Sequence, residues 1–120
     1  MDSIELTLDF SQNSMDDETL EILTQTLYQQ LYELDEAESV NRNREIADPQ
    51  LKGAGKLKPG WVSVVFDPKK ISQIWSALIA RLGGKGVAMT IKHADGKTIK
   101  IECKNIEKDE LKKLIAIMNE

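Results

Sequence analysis

The feature that most constrains this chain is a change of hydrophobic period close to its start. Ile4, Leu6, Leu8 and Phe10 alternate with Glu5, Thr7 and Asp9, and after the polar turn at 11–14 Leu20, Leu23, Leu27, Leu31 and Leu34 recur at helical spacing. A period of two puts every second side chain on one face of a strand, and a period near 3.6 gathers side chains along one stripe of a helix. Each element has one apolar side, so the two must share a layer interface. Ser14 to Asp17 reads as a capping box for this helix, which runs to about Leu34. Asp16, Asp17 and Glu18 sit at its positive end.

The same switch recurs downstream. Residues 39–47 alternate weakly, with Val40 and Ile46 sharing a face with Arg42 and Arg44, and read as an edge strand. Trp61–Phe66 is a short apolar strand. Asp67 then caps a second helix with Pro68 at its first position. Ile71, Ile74, Trp75, Leu78, Ile79 and Leu82 form that helix's stripe, and Gly83-Gly84 ends it. Val87, Met89 and Ile91 make a strand whose partner holds Ile99, Ile101 and Cys103. A two-residue Asp-Gly turn would throw these sets onto opposite faces. A three-residue loop with Gly96 left-handed instead pairs Ile91 with Ile99, Met89 with Ile101 and Val87 with Cys103. Leu111, Leu114, Ile115 and Met118 mark a final helix. The order β-α-β-β-α-β-β-α predicts one α+β domain over residues 1–120, a two-layer sandwich with helices on a mostly antiparallel sheet.

No apolar run nears the ~18 residues of a membrane span, the first residues do not read as a signal peptide, and the lone cysteine, Cys103, forms no internal disulfide. These features imply a cytoplasmic protein. The net charge of −4 conceals an asymmetry: residues 1–38 carry eleven acids and no Lys or Arg, and the rest carry nine acids and sixteen bases. Folding either mixes the two halves or leaves an acidic and a basic pole. Poles would dock an oppositely charged partner or stack copies head to tail. Pairing through the 39–47 edge is the other route to a homo-oligomer.

Reactive chemistry finds little support. The loop at 48–60 is rich in Gly, Pro and Lys, but Gly55-Lys56 is followed by Leu57 and position 50 is Gln, so it is no phosphate-binding P-loop. One His and one Cys make no metal cluster, and neither has an evident basic or acidic companion for nucleophilic catalysis. The expectation is therefore no catalytic residue, no cofactor and no metal. A basic segment, Arg42, Arg44, Lys52, Lys56 and Lys58, together with Lys92 and Lys100 on the outer face of the hairpin, could touch phosphates. That outer face, Ala88, Thr90, Lys92, Thr98, Lys100 and Glu102, offers no aromatic for base stacking, so nucleic acid is the lesser reading. Trp75 reads as core, and Trp61 as core or loop anchor. Tyr28 and Tyr32, one turn apart on the margin of the first helix, form a ridge suited to gripping a protein.

The opening strand, the Leu-rich helix, the loop GAGKLKPG before WVSVVF, the helix ISQIWSALIARL, the hairpin VAMTIKHADGKTIKIE and the short last helix together resemble the effector-associated constant component family of bacterial conflict systems. The resemblance implies a small non-enzymatic adaptor that couples a sensing component to caspase-like or trypsin-like effectors. Gly53, Gly55, Trp75 and Gly96 match as structural positions, and no catalytic residue carries over. Where members often have an arginine-rich end to the second helix, this chain has only Arg81. On this reading Tyr28, Tyr32, Arg42, Arg44, Lys52, Lys56 and Lys58 are the partner-binding residues.

Overall fold

A computed structural model describes residues 3–44, 57–107 and 109–118. In chain order the elements are β1 (Ile4–Asp9), α1 (Asp17–Tyr32), β2 (Ala37–Arg44), β3 (Leu57–Phe66), a single 3₁₀ turn (Pro68–Lys70), α2 (Ile71–Leu82), β4 (Val87–Lys92), β5 (Thr98–Cys103) and α3 (Glu110–Met118). The strands form one sheet in the order β2-β3-β1-β4-β5, with every neighbouring pair antiparallel. β1 and β2 run the same way with β3 between them, and β3 and β4 run the same way with β1 between them. Two β-α-β units are thus interleaved, the split βαβ or ferredoxin-like arrangement, with β5, paired to β4, and α3 added at one side.

The period of two decides which face is covered. Ile4, Leu6 and Leu8 of β1, Val62, Val64 and Phe66 of β3, and Val87, Met89 and Ile91 of β4 are all buried beneath the helices. The residues between them, Glu5, Thr7 and Asp9 among others, lie on the face that no helix covers. Ile74, Trp75, Leu78 and Leu82 of α2 complete one contiguous core with Leu27 and Leu31 of α1 and Leu114 of α3. Each such side chain removed from water contributes about 1.5–3 kcal/mol. Trp75 is 2% exposed, and its indole N–H donates to the Glu107 carbonyl at 3.0 Å.

The hairpin has the register its apolar residues require, including Ile91 opposite Ile99 and Met89 opposite Ile101, with Gly96 at φ 93°. Four details differ from the sequence reading. The cap of α1 is Asp16, whose carboxylate accepts from the Thr19 N–H at 2.7 Å, and Ser14 does not serve. α1 ends two residues before Leu34. β3 starts at Leu57, because Gly60, at φ 89°, lets the strand continue past Pro59 while its carbonyl accepts from Phe10 N–H at 2.9 Å. Asp67 caps the 3₁₀ turn, which then leads into α2.

Candidate interaction surface

The sheet edge at β2 and the adjoining side of α1 bring together three residues that are scattered in sequence. Val40 and Arg42 of β2 lie opposite Val64 and Val62, so both point into the helix-covered layer. Val40 is buried. Arg42 is buried too, with its side chain only 5% exposed. A guanidinium cannot lose its water without replacement partners, and α1 supplies them from one flank. Arg42 Nη1 donates to Glu21 Oε2 at 2.8 Å and to Gln25 Oε1 at 2.9 Å, while Nη2 donates to Glu21 Oε1 at 2.5 Å and to the Lys58 carbonyl at 3.4 Å. The two-toothed contact with Glu21 is the strong form of this pair. Only Nε of the guanidinium is enclosed without a partner. The Arg42 hydrogen bond holds the Glu21 carboxyl below the ordinary glutamate range, against a smaller opposing effect of burial.

Tyr28 and Tyr32 continue the flank that begins with Glu21 and Gln25. Their rings stack with centroids 6.0 Å apart and planes 27° apart. Tyr28 is half-buried and borders a polar cleft of about 340 Å³ with Gln25, Asn41, Arg42 and Leu57. Tyr32 is 68% exposed. At the start of β3 the Lys58 ammonium sits 3.8 Å from the centroid of the Trp61 ring, a cation–π contact. Trp61 is neither core nor loop anchor: it stands in β3 opposite Asp9 on the uncovered face.

Tyr28, Tyr32 and Arg42 therefore converge on one region, where Lys58 contributes its carbonyl while its side chain packs on the other face of the sheet, and their roles differ. The tyrosines face outward, Lys58 is taken up by Trp61, and Arg42 is turned inward and neutralised. The backbone of Arg44 ends β2; its side chain and the whole of Lys52 and Lys56 lie outside the described residues, as do Gly53, Gly55 and Ile46. Glu21 and Gln25 were missed from the sequence. The available signal was the i, i+4 spacing of two polar groups on the tyrosine flank, together with an edge strand that turns an arginine toward its apolar face. His93, expected in solvent at the hairpin mouth, is half-buried with Nε2 enclosed and without a partner.

A second cleft, of about 370 Å³, lies between the ends of β1, β4 and β5 and is bordered by Asp9, Asn13, Glu102 and Lys104. Asn13 is held there as a clip, donating to the Phe10 and Gly86 carbonyls at 2.9 Å each. Among the described residues no three His, Cys, Asp or Glu side chains gather as a metal would need, and no helix is long and apolar enough to cross a membrane. The chain matches no family model, no curated protein and no solved structure.

Proposed function

We propose that this protein is a non-enzymatic adaptor that holds a protein partner on the α1–β2 flank. The supporting observation is the Tyr28–Tyr32 stack, whose outer member, Tyr32, is 68% exposed at the end of α1 beside its C-cap Glu33. Tyrosine is costly to leave in water and well suited to interface cores. With Glu33 next to it, the pair fits a basic segment whose arginine stacks on the ring. Arg42 serves indirectly: clamped by Glu21 and Gln25, it fixes α1 against β2 and so sets the angle of the ridge. The kind of partner follows from the family resemblance, namely a caspase-like or trypsin-like effector or the sensing component upstream of it.

The test is retention of the products of adjacent genes on the immobilised protein at mild salt. A partner is retained, and Tyr32→Ala weakens it about tenfold or more, as loss of an aromatic hot spot does. Tyr32 is exposed, so this change leaves the fold intact. No retained partner, or retention indifferent to both Tyr28→Ala and Tyr32→Ala, overturns the reading. Salt-dependent retention of labelled RNA or DNA, abolished by Lys52/Lys56/Lys58→Glu, would replace it with the small nucleic-acid-binding domain.

A further inference from the structure

The sheet has two edges of different character. β2 shifts register between Ala37 and Ser39 and again between Arg42 and Arg44, and it turns a charged side chain inward. These devices keep an edge strand from pairing with another chain. β5 has neither. Its register with β4 is unbroken from Val87–Cys103 to Lys92–Thr98, and its inward Ile99 and Ile101 are only half-buried. Among the described residues no strand pairs with its outer side.

The hairpin determines where the free backbone groups point. His93 N–H donates to the Lys97 carbonyl at 2.8 Å, so these facing residues form a hydrogen-bonded pair. Such pairs alternate along an antiparallel ladder. Ile99, Ile101 and Cys103 therefore bond to β4, and Thr98, Lys100 and Glu102 direct their N–H and C=O groups to the open edge. The side chains of Lys100 and Glu102 are both exposed, opposite in charge, and share the uncovered face.

We propose that β5 pairs antiparallel with β5 of a second copy of this chain, about a two-fold axis at Ile101, joining the two sheets into one. In this register each Lys100 faces Glu102 of the other copy and exchanges both backbone bonds with it. Ile101 meets its own counterpart in the non-hydrogen-bonded position, where side chains come closest. A slip of two residues one way sets Lys100 against Lys100, and the other way Glu102 against Glu102, so charge alone selects the register. On the helix side, Ile101 and Cys103 also border a cavity of about 150 Å³ with Trp75, Met89 and Leu114, which Glu110 and Lys113 of α3 line as well. An isologous contact of this kind closes at two subunits. The proposal is independent of the partner on α1, which lies by the opposite edge.

Sedimentation velocity across a concentration series tests it. The parent protein dimerises reversibly. Lys100→Glu or Glu102→Lys alone places like charges in both facing pairs and weakens the dimer about tenfold or more. An equimolar mixture of the two variants, or the double variant K100E/E102K, regains it, because every facing pair again carries opposite signs. Regain on mixing also separates lost pairing from lost folding. A parent that stays monomeric at its highest soluble concentration, single variants that dimerise like the parent, or a mixture that fails to regain association each overturn the proposal.

Discussion

Gly60 and Gly96 both have positive φ, yet they do different work. A Cβ at Gly96 would meet nothing within 4 Å, whereas one at Gly60 would lie 2.8 Å from the Ser11 backbone nitrogen. Gly96→Ala therefore costs only the left-handed penalty, about 1 kcal/mol. Gly60→Ala adds a backbone collision to strain of about 1–3 kcal/mol and is the more damaging change; urea midpoints of the two variants rank them. Thr24 lies beside Gly60 in the core. Its hydroxyl donates to the Leu20 carbonyl at 2.6 Å and accepts from Gly60 N–H at 2.8 Å, tying α1 to β3. The Glu21–Arg42 pair carries a pH signature. Because the folded Glu21 carboxyl titrates below its ordinary range, its contribution is present above the ordinary glutamate pKa and is lost as pH falls through the folded one. Glu21→Ala leaves Arg42 buried without its anion. Glu21 itself is 41% exposed, so solvent moderates the loss to about 1–2 kcal/mol at neutral pH. The gap between parent and variant narrows in acid, as denaturation at pH 7 and pH 3 will show.

At the scale of elements, periodicity was a good guide wherever one face met the core. All of Ile4, Leu6, Leu8 and Phe10 are buried, and so are Ile71, Ile74, Trp75, Leu78 and Leu82. The hairpin register followed from the same logic, since only one loop length puts both apolar sets on the same side. Boundaries were harder to read, because they depend on local bonds that several residues compete to make. Asp16, and not Ser14, caps α1: its carboxylate takes the Thr19 N–H as a charged acceptor at the positive end of the helix, so the helix starts two residues later than a Ser14 cap would set it. Thr19 holds the Asp16 carboxyl below the usual aspartate range, so Asp16→Ala lowers the melting temperature of the parent at neutral pH, and the difference shrinks as pH falls through the folded pKa. β2 shows the limit of pattern reading. Its alternation is weak because the inward position after Val40 is Arg42, an apolar slot filled by a charge. No residue in β2 reveals the carboxylate that answers it, Glu21, 21 positions earlier in α1.

For the whole molecule, the charge asymmetry along the chain becomes local in space. Glu21 meets Arg42 in an ion pair, and Glu5 of β1 is the cross-strand neighbour of Lys92 of β4, so at these points the acidic first third adjoins the basic remainder. Burial of Cys103 in the same core pushes its thiol above the ordinary range. It should stay protonated at neutral pH and react with a thiol reagent far more slowly in the native protein than in urea, which a colorimetric assay measures. The candidate surface was only partly legible. Tyr28 and Tyr32 were readable as a ridge on the margin of the leucine stripe, because their angle from it follows from helix geometry alone. Arg42 was read as sharing the face of Val40 yet available to a partner protein, and its true place depended on a carboxylate from another element. By itself the sequence determined the α+β class, the order of its elements, the helix-facing side of β1, β4 and β5, and the hairpin register, since all of these follow from periods of 2 and 3.6 acting over a few residues. Only the tertiary structure decided that β3 inserts between β1 and β2, that Arg42 is neutralised by Glu21, and that β5 is the undefended edge. Strand order and ion pairing join residues far apart in the chain, and nothing in local spacing records which distant groups will meet.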